Sequence, residues 1–303
     1  MTDHDPVLTL RDLESWSFPG TALAVLGHPI RHSLSPPMHH AALAAAGARF
    51  AGWKYFRFEI HSDDLPRALV LLHAKNFHGL NLTVPHKIVA FDCVATIDPA
   101  ARPVGAVNTL RRTAAGWHGF NTDGYGLASA VRETLGRELT GAHVILLGAG
   151  GAARGAAVEC LQRGCASLWI ANRTRENLAT LLTVLAPVAG KISLRGFGPA
   201  APPRDLPAAA LLINATSAGL HASDPAPIAL AAFPRPAAVF DMIYNPPQTP
   251  LLRAATALGV PHTNGLAMLV HQGAKSLEIW SDLPAASTAP TMAAAARAAL
   301  GAA

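Results

Sequence analysis

The stretch His143-Val-Ile-Leu-Leu-Gly-Ala-Gly-Gly-Ala-Ala-Arg154 decides the fold of this chain. Val144 to Leu147 is a short apolar run, the pattern of a strand buried on both faces of a parallel sheet. Gly148 and Gly150 follow at once, and Ala152 to Leu161 reads as a helix. Strand, glycine turn and helix in that order form the first unit of a dinucleotide-binding fold. Gly148 permits the tight turn and Gly150 lets the backbone approach a pyrophosphate. Ala153, in the third glycine position, allows close packing of helix on strand. The helix start then offers free N–H groups and a positive dipole end to phosphates. The glycine string alone carries little weight in a chain with 25 Gly; its flanking strand and helix give it meaning.

The totals bound what the rest can be. At 303 residues the length suggests about two domains. Half the residues are hydrophobic and 14% are charged, enough apolar surface for a sizeable core. The formal charge of +5 comes from 19 Arg and 5 Lys set singly rather than in runs, Arg111-Arg112 being the densest spot. Such a field suits anionic small molecules, and no basic stripe interleaved with aromatics points to nucleic acid. Cys93, Cys160 and Cys165 lack metal-ligand spacing, so free thiols and a reducing, cytoplasmic setting are expected. The start Met-Thr-Asp-His-Asp is not that of a signal peptide, and no apolar run is long enough to cross a bilayer. The 14 histidines follow no metal pattern, and neither membrane nor metal is expected.

Residues 1–19 read as an irregular arm with one short amphipathic piece and no assignable role. Strands are expected at Thr21–Leu26, Trp53–Ile60, Gly79–Val84, Val104–Leu110 and Trp117–Phe120, with helices at about Pro36–Ala46, Asp63–Lys75 and Tyr125–Leu135. Ser35 is placed to be the N-cap of the first, with Pro36 behind it, whereas Ser33 stands one step outside the cap. Further strands fall near 143–147, 167–171, 192–195, 210–214 and 237–241. Proline- and alanine-rich loops join the later ones, and helices follow at Gly265–Trp280 and about 288–301. This rhythm predicts an α/β chain of two domains: a substrate domain with a mainly parallel sheet, residues 1–124 and 266–303, and a Rossmann-type domain, residues 125–265. The last helices are expected to pack back on the first domain, with the active site in a cleft between the two.

Strand 168–171 ends in Asn172-Arg173-Thr174-Arg175, without the carboxylate that holds a ribose 2′-hydroxyl in NAD enzymes. A guanidinium matches a 2′-phosphate instead, which points to NADP; the alternative is that Arg173 merely ends a strand on the surface. Two polar sets stand at strand ends of the first domain, where ligands of open α/β sheets gather. One is Asn81-Leu-Thr-Val-Pro-His-Lys87; the other is Asn108 with Asn121-Thr122-Asp123. A lysine screened from water can act as acid or base, a neighbouring carboxylate can orient it, and amides and hydroxyls can bind a polyol. Taken singly, Lys87 reads as a solvated lysine and Asp123 as a helix cap; the functional reading needs both.

On these residues the chain resembles the shikimate dehydrogenase family. The family's motifs stand in family order from about residue 21 to 285: Ser33-Leu-Ser35, Asn81-Leu-Thr-Val-Pro-His-Lys87, Gly105-Ala-Val-Asn-Thr109, Asn121-Thr-Asp-Gly124, Gly148-Ala-Gly-Gly-Ala152, Asn172-Arg-Thr174, Asn214-Ala-Thr-Ser217, Asp241-Met-Ile-Tyr-Asn-Pro246 and Gly265-Leu-Ala-Met-Leu-Val-His-Gln272. The resemblance implies a reversible NADPH-dependent reduction of 3-dehydroshikimate to shikimate by a monomer or homodimer. It implies that Ser33 and Ser35 bind the substrate carboxylate. Thr83, Asn108, Asp123, Tyr244 and Gln272 then meet the ring hydroxyls and the carboxylate. Lys87 and Asp123 are the implied catalytic pair, with Lys87 transferring the proton. Gly148, Ala149, Gly150, Gly151 and Ala152, with Asn172, Arg173, Thr174 and Arg175, are the implied NADP site, and Met242 and Gly265 the implied nicotinamide contacts. One position departs: the second basic residue usual four places after the arginine of Asn-Arg-Thr is Asn177 here. A quinate/shikimate dehydrogenase using NAD, and a silent NADP- or ligand-binding regulatory protein, are the competing readings.

Overall fold

The computed structural model describes residues 6–221 and 223–301. The chain forms two compact units, 1–122 with 270–303 and 123–269. In the first, α1 (Leu10–Glu14), β1 (Thr21–Gly27), α2 (Ser35–Ala45), β2 (Trp53–Glu59), α3 (Leu65–Ala74), β3 (Gly79–Leu82), α4 (His86–Val89), β4 (Thr96–Ile97), β5 (Thr109–Thr113) and β6 (Gly116–Phe120) follow in order. The six strands make one sheet, β2-β1-β3-β5-β6-β4. The pairs β1–β2, β1–β3 and β4–β6 are parallel, while β3–β5 and β5–β6 are antiparallel. Residues Ala22 to Gly27 of β1 are all buried, as its unbroken apolar run requires of a strand covered on both faces.

The second unit holds α5 (Asp123–Leu135), β7 (His143–Leu147), α6 (Gly151–Gln162), β8 (Ser167–Ala171), α7 (Arg175–Ala189), β9 (Ser193–Phe197), β10 (Leu211–Asn214), β11 (Ala238–Asp241), α8 (Pro250–Ala257) and β12 (His262–Thr263). Its sheet is wholly parallel in the order β12-β11-β10-β7-β8-β9. This is the doubly wound order of dinucleotide-binding sheets, with the reversal between β7 and β10. The chain ends in α9 (Leu266–Ser281) and α10 (Ala285–Gly301). From residue 270 onward these belong to the first unit, where α10 packs on α2 and the Trp280 indole donates to the Leu110 carbonyl at 2.9 Å.

Several elements differ from expectation. The arm is built into the first unit: Leu8 bridges to Phe58, and Trp16 packs edge-on to Phe56 with ring centroids 4.6 Å apart. Residues 1–5 of that arm lie outside the described residues. The strand expected at 104–110 begins only at Thr109. Gly105 turns with φ +60°, and residues 104–108 form a buried loop that an apolar run alone does not distinguish from a strand. Helix α8 occupies a stretch for which no element was expected; Thr249 caps it through the Leu252 N–H, with Pro250 behind. The units divide at 122/123 and 269/270 rather than at 124/125 and 265/266.

Candidate active site

In the first unit the polar side chains gather where β1, β3 and β5 give way to loops. Ser35 is not the N-cap of α2: Leu34 holds that position and Ser35 is the first helical residue. The capping is done from further back, because the Ser33 hydroxyl accepts from the Ser35 N–H at 3.3 Å. Two prolines in the first turn cost the helix nothing, since their missing N–H groups have no intrahelical partner there. Ser33 is half-buried and Ser35 buried. Thr83 stands just past β3, its N–H bonded to the Leu26 carbonyl at 2.9 Å.

Asn108 is the hub. It is buried, and its Nδ2 donates to Thr122 Oγ1 at 3.0 Å and to Gln272 Oε1 at 3.3 Å. Its Oδ1 accepts from the Thr122 N–H at 2.8 Å and the Thr109 hydroxyl at 3.0 Å. Lys87, half-buried on α4, is joined to this segment by its carbonyl, which accepts from the Val107 N–H at 2.9 Å. Asn121 donates to the Ala106 carbonyl at 3.0 Å, fixing the same loop. The structure therefore brings Asn108, Gln272 and the backbone of Lys87 together. Beside Lys87, His86 is fully buried, and loss of solvation pushes its pKa below the ordinary imidazole value.

Asp123 opens α5 as the first residue of the second unit, directly after Thr122. In that unit Gly148 follows β7 with φ +114°, a left-handed conformation that favours glycine. A β-carbon there would also lie 3.0 Å from the Ala215 carbonyl oxygen, at the end of β10. Gly150 is the N-cap of α6, and a β-carbon on it would meet nothing within 4 Å. The helix start, with exposed Gly151 and Ala152 and half-buried Ala149, therefore has an open approach. Ala153 is buried, as close packing of α6 on the sheet needs. Four residues past Gly150, Arg154 keeps a buried Nε without a hydrogen-bond partner. At the end of β8, Asn172 Nδ2 donates to the Thr174 carbonyl at 2.9 Å, which leaves Arg173, Thr174 and Arg175 exposed. Open helix N–H groups, an orphaned guanidinium nitrogen and two exposed arginines without a carboxylate among them suit a dinucleotide with an extra phosphate.

The sequence did not disclose how the segment carrying Met242 and Tyr244 is held. Asp241, fully buried, accepts from Asn214 Nδ2 at 2.9 Å, from the Ile243 N–H at 3.1 Å and from the Thr249 hydroxyl at 2.6 Å. Burial pushes its carboxyl pKa up against the pull of those three donors. Asn214 Oδ1 in turn accepts from the Thr216 N–H and hydroxyl. Two family motifs thus form one network that ties β10, β11 and the following loop. Tyr244 is half-buried, and burial raises its phenol pKa. Among the described residues no group of three His, Cys, Asp or Glu side chains could hold a metal ion, and no helix is long and apolar enough to cross a membrane.

Comparison with known proteins identifies the family. The profile of the shikimate dehydrogenase substrate binding domain matches residues 25–110. The shikimate dehydrogenase (NADP(+)) of Citrifermentans bemidjiense is 38% identical over 268 residues, 85% of this chain and 88% of the relative. Among solved structures, shikimate 5-dehydrogenase from Thermus thermophilus, in complex with NADP(H) and shikimate, is 35% identical with a TM-score of 0.79, covering 92% of this chain and 99% of that one. The ligand-free 5-ketofructose reductase of Gluconobacter sp. strain CHM43 is 31% identical with the same TM-score, covering 91% and 99%. The fold is that of a two-domain nicotinamide-linked oxidoreductase. The chain belongs to the shikimate dehydrogenase family.

Proposed function

We propose that this chain is an NADP-linked shikimate dehydrogenase, reducing 3-dehydroshikimate to shikimate reversibly in aromatic amino-acid biosynthesis. The observation that carries the reading is the bond from the Val107 N–H to the Lys87 carbonyl. It sets the lysine one residue from Asn108, whose amide is already shared with Gln272. A general acid therefore stands beside groups suited to a polyhydroxylated ring. Bound NADPH supplies the hydride to the ketone carbon. Lys87 delivers the proton to the oxygen that becomes the hydroxyl, and takes it back in the reverse direction. Asp123, next in the chain after Thr122, is the carboxylate that orients this lysine. Ser33 and Ser35 donate to the substrate carboxylate; Thr83, Asn108, Tyr244 and Gln272 complete its polar surroundings.

The glycine turn from Gly148 to Ala152 and the group Asn172 to Arg175 hold the phosphates and the adenosine ribose, and Met242 and Gly265 flank the nicotinamide. The three free cysteines accord with a reducing, cytoplasmic setting. Because a 5-ketofructose reductase shares this fold, fold alone does not assign the substrate. A steady-state assay crossing shikimate, quinate and 5-ketofructose with NADP and NAD in the appropriate redox states tests the proposal. Turnover confined to shikimate with NADP supports it, and failure to oxidise shikimate rejects it.

A further inference from the structure

Tyr55 lies on β2, fully buried, and carries a polar atom into the interior of the first unit. A buried hydroxyl is costly unless it is bonded. Here it donates to Asn81 Oδ1 at 2.8 Å. The direction is fixed by the other end of the amide. Asn81 Nδ2 faces the Asn108 carbonyl at 3.1 Å, which can only accept, so Oδ1 is the end turned to Tyr55. The same Nδ2 meets Thr109 Oγ1 at 3.1 Å and Ser276 Oγ at 2.9 Å. Ser276 and Thr109 are themselves 2.7 Å apart, and Thr109 donates to Asn108 Oδ1 at 3.0 Å. One route from the Tyr55 hydroxyl therefore ends at the amide hub of the site.

The face of the Tyr55 ring leads the other way. The His39 ring stacks on it with centroids 4.1 Å apart and planes at 15°. His39 Nδ1 lies 2.8 Å from the Ser35 carbonyl oxygen, so that nitrogen carries the hydrogen. The second route ends at the start of α2, where Ser33 and Ser35 stand.

We propose that Tyr55 is a positioning residue. Through Asn81 on one side and His39 on the other, it fixes the spacing between the Ser33–Ser35 pair and the Asn108 amide. It thereby sets how tightly a polyhydroxylated carboxylate is held. This rests on the function proposed above. Tyr55 itself touches none of the reacting atoms. Its hydroxyl keeps two groups of substrate donors, distant in sequence, in register.

The test is Tyr55→Phe in the full chain, which keeps the ring, the stack and the volume and removes only the hydroxyl. Shikimate is titrated calorimetrically into the cofactor-free protein, and kinetics are run with NADP. The expected result is a rise of about five- to tenfold in the Kd and KM for shikimate, the equivalent of one hydrogen bond, with the KM for NADP unchanged. A second variant, Phe77→Leu in the separate apolar cluster of the same unit that holds Phe58, is expected to lower the Tm without moving the shikimate constants, which separates positioning from stability. Unchanged shikimate constants in Tyr55→Phe, or equal rises for both ligands, overturn the proposal while the parent's activity still upholds the function. A parent that neither binds nor oxidises shikimate overturns both.

Discussion

Gly265 passes so close to Met242 that a β-carbon on it would lie 2.0 Å from the Met242 carbonyl oxygen. The two backbones are further joined by the Gly265 N–H, which donates to the Ile243 carbonyl at 3.1 Å. Glycine is needed here for space rather than for turning, and the contact sets where the start of α9 meets the loop after β11. Gly265→Ala must push one backbone away from the other. We expect a loss of roughly 2–3 kcal/mol, the upper part of the range for overpacking, measurable as a fall in Tm. A variant as stable as the parent is incompatible with so close a passage.

Cofactor choice is expected to depend on Arg173, which is exposed at the end of β8 with its guanidinium open to a ligand. Arg173→Ala should raise the KM for NADP roughly tenfold or more, the scale of a hydrogen bond to a charged group, with little change for NAD. Equal effects on the two cofactors would remove the 2′-phosphate from the argument. Arg175, two residues on, is the control; a larger effect there assigns the contact to it.

Lys87→Met should lower turnover by about 10²–10⁴-fold, the usual contribution of a positioned acid or base. Binding of NADPH, followed by its fluorescence, should stay the same. Turnover near the parent's would transfer the proton step to another group.

His39 gives the first unit a pH dependence. Burial holds its pKa at about 4, against an ordinary value of 6.5. Between those two values the unfolded chain takes up a proton that the folded chain refuses. Stability is therefore complete above about pH 6.5 and falls as the pH drops through the window, with about 3 kcal/mol lost below pH 4. Urea unfolding at stepped pH reads the slope. His39→Phe, which keeps a flat ring against Tyr55, should flatten it, and an unaltered slope would place the dependence on other groups.

Much of this was legible from local pattern. The run Val144–Leu147, the glycines after it and the helix beyond are contiguous, so period and turn chemistry suffice to read them. Five of the six parallel strands of the second unit were legible for the same reason; the two-residue β12 is too short to show a pattern. Residues 104–108 misled because burial makes a loop as apolar as a strand; Gly105 and the Asn121 amide make it a loop. Ser35 was read as the cap of α2, but the helix starts one residue earlier than its prolines suggest, so Leu34 is the cap and the Ser33 hydroxyl meets the Ser35 N–H. The networks were not legible at all. Tyr55 and Asn81 are 26 residues apart and Asn214 and Asp241 are 27 apart; the first pair meets across an intervening strand, β1, and the second across adjacent strands, and no spacing rule links residues brought together in either way.

The interrupted course of the first unit bears on how the protein is made. Residues 123–269 are contiguous, so their sheet can close as soon as they have left the ribosome. The other unit must wait. Ser276 reaches back 195 positions to Asn81, and Trp280 reaches back 170 to the Leu110 carbonyl. Until those last helices emerge, β3 and β5 lack the partners that cover them. The nascent chain thus carries a closed second unit while the first still lacks its last helices, and the apolar surface those helices cover stays exposed during that interval.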